Sequence, residues 1–141
     1  MDLRPFHLAI PVADIEIAKD FYGLKLGFSE GRSDEHWVDF NFFGHQLVCH
    51  IGDSNTFSNE VDGKDVPIPH FGIVLEWDQF DIFAKKIKLS GIKFIIEPYL
   101  RFKGLPGEQK TMFFTDPFGN ALEFKSFKND TEIFNKAPIV S

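Results

Sequence analysis

The stretch Phe6-His7-Leu8-Ala9-Ile10-Pro11-Val12 places apolar residues at 6, 8, 10 and 12, the period of a half-buried strand, and carries a histidine near its start. Its counterpart is Pro69-His70-Phe71-Gly72-Ile73-Val74-Leu75, where Phe71, Ile73 and Leu75 alternate behind a second histidine. The two histidines lie 63 residues apart, and similar text follows each of them. Asp14 is placed to cap a helix whose Ile15, Ala18 and Tyr22 share a face and which ends near Gly23 to Gly27. Asp78 is placed to cap a second helix, whose Phe80, Phe83, Ala84 and Ile87 form an apolar stripe before Gly91. Strands are expected near 28–32, 36–43 and 45–51 after the first helix, with Phe43-Gly44-His45 as a tight turn. After the second helix they are expected near 92–97, 111–115 and 120–127, with Asp116-Pro117-Phe118-Gly119-Asn120 turning between the last two. Each half therefore reads as a βαβββ module, and the chain as an internal duplication.

With 141 residues, 43% hydrophobic and 26% charged, the chain is sized for one well-packed α+β domain spanning 1–141. Module one covers about 5–51, a polar linker 52–68, module two about 69–127, and a C-terminal tail 128–141. The linker reading rests on Gly52-Asp53-Ser54-Asn55 and Asp62-Gly63-Lys64-Asp65. A second connection, Tyr99 to Gln109, holds Arg101, Lys103 and Glu108 among glycines and a proline and is the candidate lid. The tail is expected to pack on the surface, swap between subunits or stay mobile.

Composition removes several function classes. A formal charge of −6 and a pI near 5.3 argue against a nucleic-acid surface, which needs clustered Lys and Arg to neutralise phosphates. The single cysteine, Cys49, has no partner for an internal disulfide, and the opening Met1-Asp2-Leu3-Arg4 does not feed a secretory apolar core, so a cytoplasmic location is expected. No apolar run approaches the roughly 20 residues of a membrane-spanning helix. Eighteen phenylalanines exceed ordinary packing need; most are expected in the core, some lining a cavity for a flat or apolar ligand.

Three residues form a candidate donor set. His7, His70 and Glu123 each occupy a strand-like segment with a small residue two positions away on the same face: Ala9, Gly72 and Ala121. Two imidazoles and one carboxylate around a divalent cation leave positions open for substrate, water or dioxygen, as in non-haem iron sites. His36 and His45 fall at a strand start and a turn and are assigned no role. Cys49, out of phase with its neighbours Gln46 and His50, is expected to be a buried, inert thiol.

The chain resembles the vicinal oxygen chelate superfamily, which contains glyoxalase I, fosfomycin-resistance proteins, bleomycin-binding proteins and extradiol dioxygenases. The carriers are Phe6-His7-Leu8-Ala9-Ile10-Pro11-Val12 with Asp14, Ala18, Phe21, Tyr22 and Leu26-Gly27-Phe28; then His70-Phe71-Gly72-Ile73; then Phe114-Thr115-Asp116-Pro117-Phe118-Gly119-Asn120-Ala121-Leu122-Glu123-Phe124. The resemblance implies paired βαβββ modules whose curved, mostly antiparallel sheets form a cup. It also implies metal ligation by His7, His70 and Glu123, a homodimer, a small-molecule substrate, and a cation that is preferably Fe(II), with Mn, Ni or Zn as alternatives. Glyoxalase I places a second carboxylate on the strand matching His45-Gln46-Leu47-Val48-Cys49-His50-Ile51; this chain has none there, which disfavours that isomerase. Gln46 and His50 on that strand are candidate substrate contact and acid–base group, or an extra ligand. Tyr99 is a second acid–base candidate, and Arg101 and Glu108 are candidate substrate contacts. Few basic residues besides Arg101, Lys103 and Lys110 are placed to clamp a phosphonate, so the preferred expectation is an extradiol-type dioxygenase. The alternatives are a metal-dependent transferase or isomerase of the fosfomycin-resistance or glyoxalase type, and a bleomycin-type binding protein, whose known members lack the metal triad.

Overall fold

A computed structural model describes residues 2–53 and 57–136. The chain divides into two compact units, residues 1–58 with 116–120 and residues 59–115 with 121–141.

The first unit begins with strand β1 (His7–Val12), followed by α1 (Ile15–Ala18), which runs directly into a π-helical stretch, Lys19–Lys25. Asp14 caps α1 as expected, its carboxylate accepting from the Ile17 amide at 2.9 Å. The π-helical turn, closed by Leu26 N–H to the Phe21 carbonyl, buries Phe21, Tyr22 and Leu26; their spacing from Ala18 is that of an ordinary helix face, so only the backbone bonding marks the stretch as π-helical. Strands β2 (Glu30–Ser33), β3 (Trp37–Phe42) and β4 (His45–Ile51) complete the sheet in the order β1-β4-β3-β2. β1 lies parallel to β4, with His7 opposite Gln46 and Pro11 opposite His50; the other pairings are antiparallel. The β3–β4 turn has positive φ at Phe43 (52°) and Gly44 (86°), and the Asn41 side chain accepts from the Gly44 amide at 2.7 Å.

The turn 116–120 belongs to this unit because its acid is tied into the core. Asp116, 4% exposed, accepts from the Phe118 and Asn120 amides, the Asn120 side-chain amide and, at 2.7 Å, the Tyr22 hydroxyl. Asn120 also donates to the Pro11 carbonyl. Burial, aided by the neighbouring Asp116 charge, pushes the Tyr22 phenol well above its usual value, so it remains a donor.

The second unit repeats the plan. Strands β7 (His70–Phe71), β8 (Phe94–Arg101), β9 (Gln109–Thr115) and β10 (Ala121–Phe127) form a sheet of order β7-β10-β9-β8, with β7 parallel to β10, and α2 (Trp77–Leu89) packs on it through Phe83 against Phe124. Fully buried Phe80, Ile87, Met112, Phe114, Leu122 and Phe124 make its core. The fold is thus the α+β arrangement of duplicated βαβββ modules that the sequence implied.

Four expectations require correction. The linker contains a hairpin, β5 (Phe57–Val61) and β6 (Lys64–Ile68), turning at Asp62 and Gly63, both at positive φ; Ser54 and Asn55 lie outside the described residues. Its strands are largely exposed and, among the described residues, pair with no other strand, so no buried face revealed them in the alternation. Strand β7 is only two residues long, with contact to β10 resuming where the Leu75 amide meets the Lys125 carbonyl. Glu76, not Asp78, occupies the cap of α2, and it makes no side-chain capping bond; Asp78 sits in the first turn, where its charge favours the helix end. Finally, β8 extends to Arg101, so Tyr99 and Arg101 stand on a strand and the loop shrinks to 102–108. From the tail, Lys128 joins that loop through its amide to the Glu108 carbonyl, and Asp130–Glu132 form a 3-10 turn.

Candidate functional site

His70 and Glu123 meet inside the second unit because β7 and β10 run parallel, with His70 opposite Ala121 and Glu123 one strand period further on. The His70 Nε2 stands 3.2 Å from Glu123 Oε1. Its Nδ1 lies 2.7 Å from the Pro67 carbonyl, which can only accept, so Nδ1 carries the proton. In a neutral ring Nε2 then presents a lone pair straight at a carboxylate, and the contact requires a positive charge there, either a proton or a cation. The hydrogen bond with Glu123 is the main cause raising the His70 imidazole above its usual value, against the opposing effect of burial. Burial pushes the Glu123 carboxyl up, but the bonds from His70 and Thr111 and the nearby Lys125 charge outweigh it and hold the group below its usual range. The Thr111 hydroxyl donates to Glu123 Oε2, and the Phe113 ring meets the His70 ring edge-on at 5.0 Å.

Gly72 sits here for a reason other than open space. A Cβ on it would overlap the Glu123 carbonyl oxygen, so the missing side chain lets β7 approach the Glu123 backbone. A cleft of about 280 Å³ lies beside the pair, bounded by Gly72, Ile73, Val74 and Lys125.

In the first unit, the exposed His7 has its Nδ1 2.8 Å from Gln46 Oε1, and the Gln46 amide nitrogen donates to Asp39 Oδ2 at 3.1 Å. A carboxylate can only accept, so the amide nitrogen faces Asp39, the amide oxygen faces His7, and Nδ1 of His7 is the protonated nitrogen. His7 therefore keeps Nε2 free as a donor atom, in the same tautomer as His70. Gln46 has both ends of its amide engaged. His50 is exposed two strand periods beyond Gln46, on the same face.

The remaining candidates fall into two groups. Tyr99 and Arg101 share a face of β8, and both engage Asp62 of the hairpin: Tyr99 donates at 3.0 Å, and Arg101 Nε lies 2.6 Å away without the alignment of a hydrogen bond. Burial foremost, then the bond to Asp62, raises the Tyr99 phenol, which stays protonated at neutral pH. Glu108 is instead spent within its own loop, accepting from the Gly104 amide at 3.0 Å and pairing with Lys128 at 3.7 Å. Burial pushes the Cys49 thiol up to about 12, an unreactive group. His45 Nδ1 accepts from the Phe6 amide, a structural task.

Sequence reasoning missed Thr111, Pro67, Asp39 and Asp62. Thr111 and Asp39 act through contacts set by strand register, Pro67 through its backbone carbonyl and Asp62 from a turn, and only the Asp62-Gly63 pair left a trace, as a hairpin-turn signal. Among the described residues no three His, Cys, Asp or Glu side chains gather as a ready metal cluster. The donor chemistry of the His70–Glu123 pair nonetheless fits a divalent cation: a nitrogen lone pair and a carboxylate oxygen face each other, each backed by a second hydrogen bond.

A duplicated βαβββ module that presents a histidine and a carboxylate from parallel neighbouring strands defines the class of protein. The chain belongs to the Glyoxalase/Bleomycin resistance protein/Dioxygenase superfamily, whose family model matches residues 4–124. It is similar to a glyoxalase/bleomycin resistance protein/dioxygenase from Alicyclobacillus acidocaldarius, at 40% identity and a TM-score of 0.78, covering 92% of this chain and 96% of that one. It shares its fold with the fosfomycin resistance protein FosX from Listeria monocytogenes (16% identity, TM-score 0.66, 94% and 98% covered). A glyoxalase/dioxygenase from Nostoc punctiforme is similar in the same sense (19%, 0.65, 89% and 92%). No curated protein matches the chain. Among the described residues no helix is long and apolar enough to cross a membrane.

Proposed function

We propose that this chain is a divalent-metal-dependent enzyme acting on a small substrate with vicinal oxygens, with His7, His70 and Glu123 as ligands and extradiol-type oxygenation of a catechol-like substrate as the reaction. The observation that carries the reading is His70 Nε2 facing Glu123 Oε1 across 3.2 Å, a contact that needs a positive charge between the two, with the Nδ1 proton already committed to Pro67. Fe(II) is the preferred ion, with Mn, Ni or Zn as alternatives; bound, it would supply Lewis-acid polarisation of the substrate oxygens and open positions for exchangeable ligands.

The chain's own groups do the rest. Thr111 and Pro67 hold the carboxylate and imidazole in orientation, as Gln46 and Asp39 hold His7. His50 serves as the acid–base group, and Tyr99, protonated and half-buried, donates a hydrogen bond that positions the substrate. A homodimer supplies the working form.

A second reading, metal-dependent transfer or isomerisation of a small anion, draws support from Arg101 and Tyr99 on one strand face. Anaerobic purification followed by metal analysis and oxygen uptake against a panel of catechols separates the two. Near-stoichiometric iron or manganese with catechol-dependent oxygen consumption, both lost in Glu123→Ala, is the expected result. Bound metal without oxygen uptake moves the assignment to transfer or isomerisation. Absence of metal from both forms leaves a sequestering, bleomycin-type binding protein.

A further inference from the structure

Strand β8 carries Tyr99 and Arg101 on one face, and the cross-strand register ties that face to the metal-ligand pair. Tyr99 lies opposite Thr111 on β9, and Thr111 donates to Glu123 on β10. Two strand spacings of about 4.8 Å therefore separate Tyr99 from the ligand strand, on the order of 10 Å. That is the length of a ring with a short acidic side chain.

A carboxylate already occupies the position. Asp62 Oδ2 accepts from the Tyr99 hydroxyl at 3.0 Å and lies 2.6 Å from Arg101 Nε, while the Lys64 ammonium stands 4.4 Å over the Tyr99 ring. Arg101 and the Tyr99 phenol face the one anion and Lys64 covers the Tyr99 ring, so these four side chains together carry a net positive charge. Arg101 is only 20% exposed, yet its Nε makes no hydrogen bond; the guanidinium is placed by its charge contact with the carboxylate and by the Phe102 ring, whose centroid lies 4.8 Å from it. Asp62 arrives on a lightly held element: among the described residues the β5–β6 hairpin pairs with no other strand, its strands are largely exposed, and a two-stranded hairpin is marginal by itself. Such a segment yields readily to a better-fitting anion.

We propose that Arg101 and Tyr99 form a carboxylate-binding site that fixes the end of the substrate remote from its vicinal oxygens, and that Asp62 fills this site in the free protein as an internal competitor which the substrate displaces. The inference rests on the enzyme reading for its direction, since it makes the substrate a small acid, but the anion site is measurable without any metal.

Phenylacetate, a ring bearing only the carboxylate, is the probe for the chelator-treated full-length protein, with methyl phenylacetate as the neutral control, followed by calorimetry or NMR titration. Asp62→Asn is expected to bind phenylacetate roughly tenfold tighter than wild type, the change expected when a competing charge contact of ordinary strength is lost. Asp62→Glu keeps the competitor and stays near wild type, and adding Arg101→Gln to Asp62→Asn removes the gain. No tightening in folded Asp62→Asn, or binding of the ester as strong as of the acid, overturns the proposal. Tyr99→Phe gives an independent arm in the wild-type background: it must weaken phenylacetate binding, and unchanged affinity there also overturns the site. Metal uptake by Asp62→Asn is read separately. Carboxylate binding without metal uptake in any form sinks the enzyme reading alone, and metal uptake with no carboxylate effect sinks this one alone.

Discussion

A histidine's usefulness as a ligand is decided by what holds its other nitrogen. His7 and His70 were legible as paired residues because each opens an alternating strand followed by similar text, and Glu123 because the turn before it is explicit. Their partners were not legible. Gln46 faces His7 only once the parallel register of β1 and β4 is known, and Pro67 reaches His70 through its backbone, which has no sequence signature. Gln46, read from the sequence as a candidate substrate contact, has its amide between His7 and Asp39, where it sets the His7 tautomer. Gln46→Leu leaves Nδ1 without its acceptor, so metal affinity is expected to fall about 10- to 100-fold, the usual cost of losing such support. Competition against a chelator of known affinity measures it, and Gln46→Glu, which still accepts, should recover much of the loss. An unchanged affinity in Gln46→Leu would show that His7 is not a ligand.

The helices and the strands with one buried face were visible at the scale of elements, while those without such a face were not. The β5–β6 hairpin has polar residues on both sides, so its alternation was silent and only Asp62-Gly63 announced the turn. The π-helical stretch was read as ordinary helix because its buried residues keep helical spacing and the i→i−5 bond leaves no mark in the side-chain pattern. The short β7 depends on Gly72, where the backbones of β7 and β10 come too close for any side chain. Gly72→Ala must push Glu123 away from His70. Loss of metal binding with the core retained, seen as near-native circular dichroism and a lowered Tm, is the expected outcome. Wild-type metal affinity in that variant would mean the Glu123 position is not critical.

Across the whole molecule, the duplication carried the fold: two sheets of the same order, each closing its first strand parallel to its fourth. Stability should report the site through its charges. His70 is raised and Glu123 lowered, so in chelator-treated protein their pairing contributes fully above the ordinary carboxylate value of 4.5 and below the ordinary imidazole value of 6.5. The contribution fades as pH rises through the raised His70 value, where the imidazolium is lost, and as pH falls through the lowered Glu123 value. The Tm difference between wild type and His70→Ala, scanned from about pH 3 to pH 9, should therefore peak in that window. A flat difference would show that the pair is not ionised as drawn. Because the loop bearing Asp116 and Asn120 supplies the partners of Tyr22 and the Pro11 carbonyl, the C-terminal repeat lends five residues to the N-terminal one. Cutting the chain at its midpoint would strand the buried Tyr22 phenol without its acceptor in one product, so the N-terminal half is not expected to fold to its native core when expressed alone.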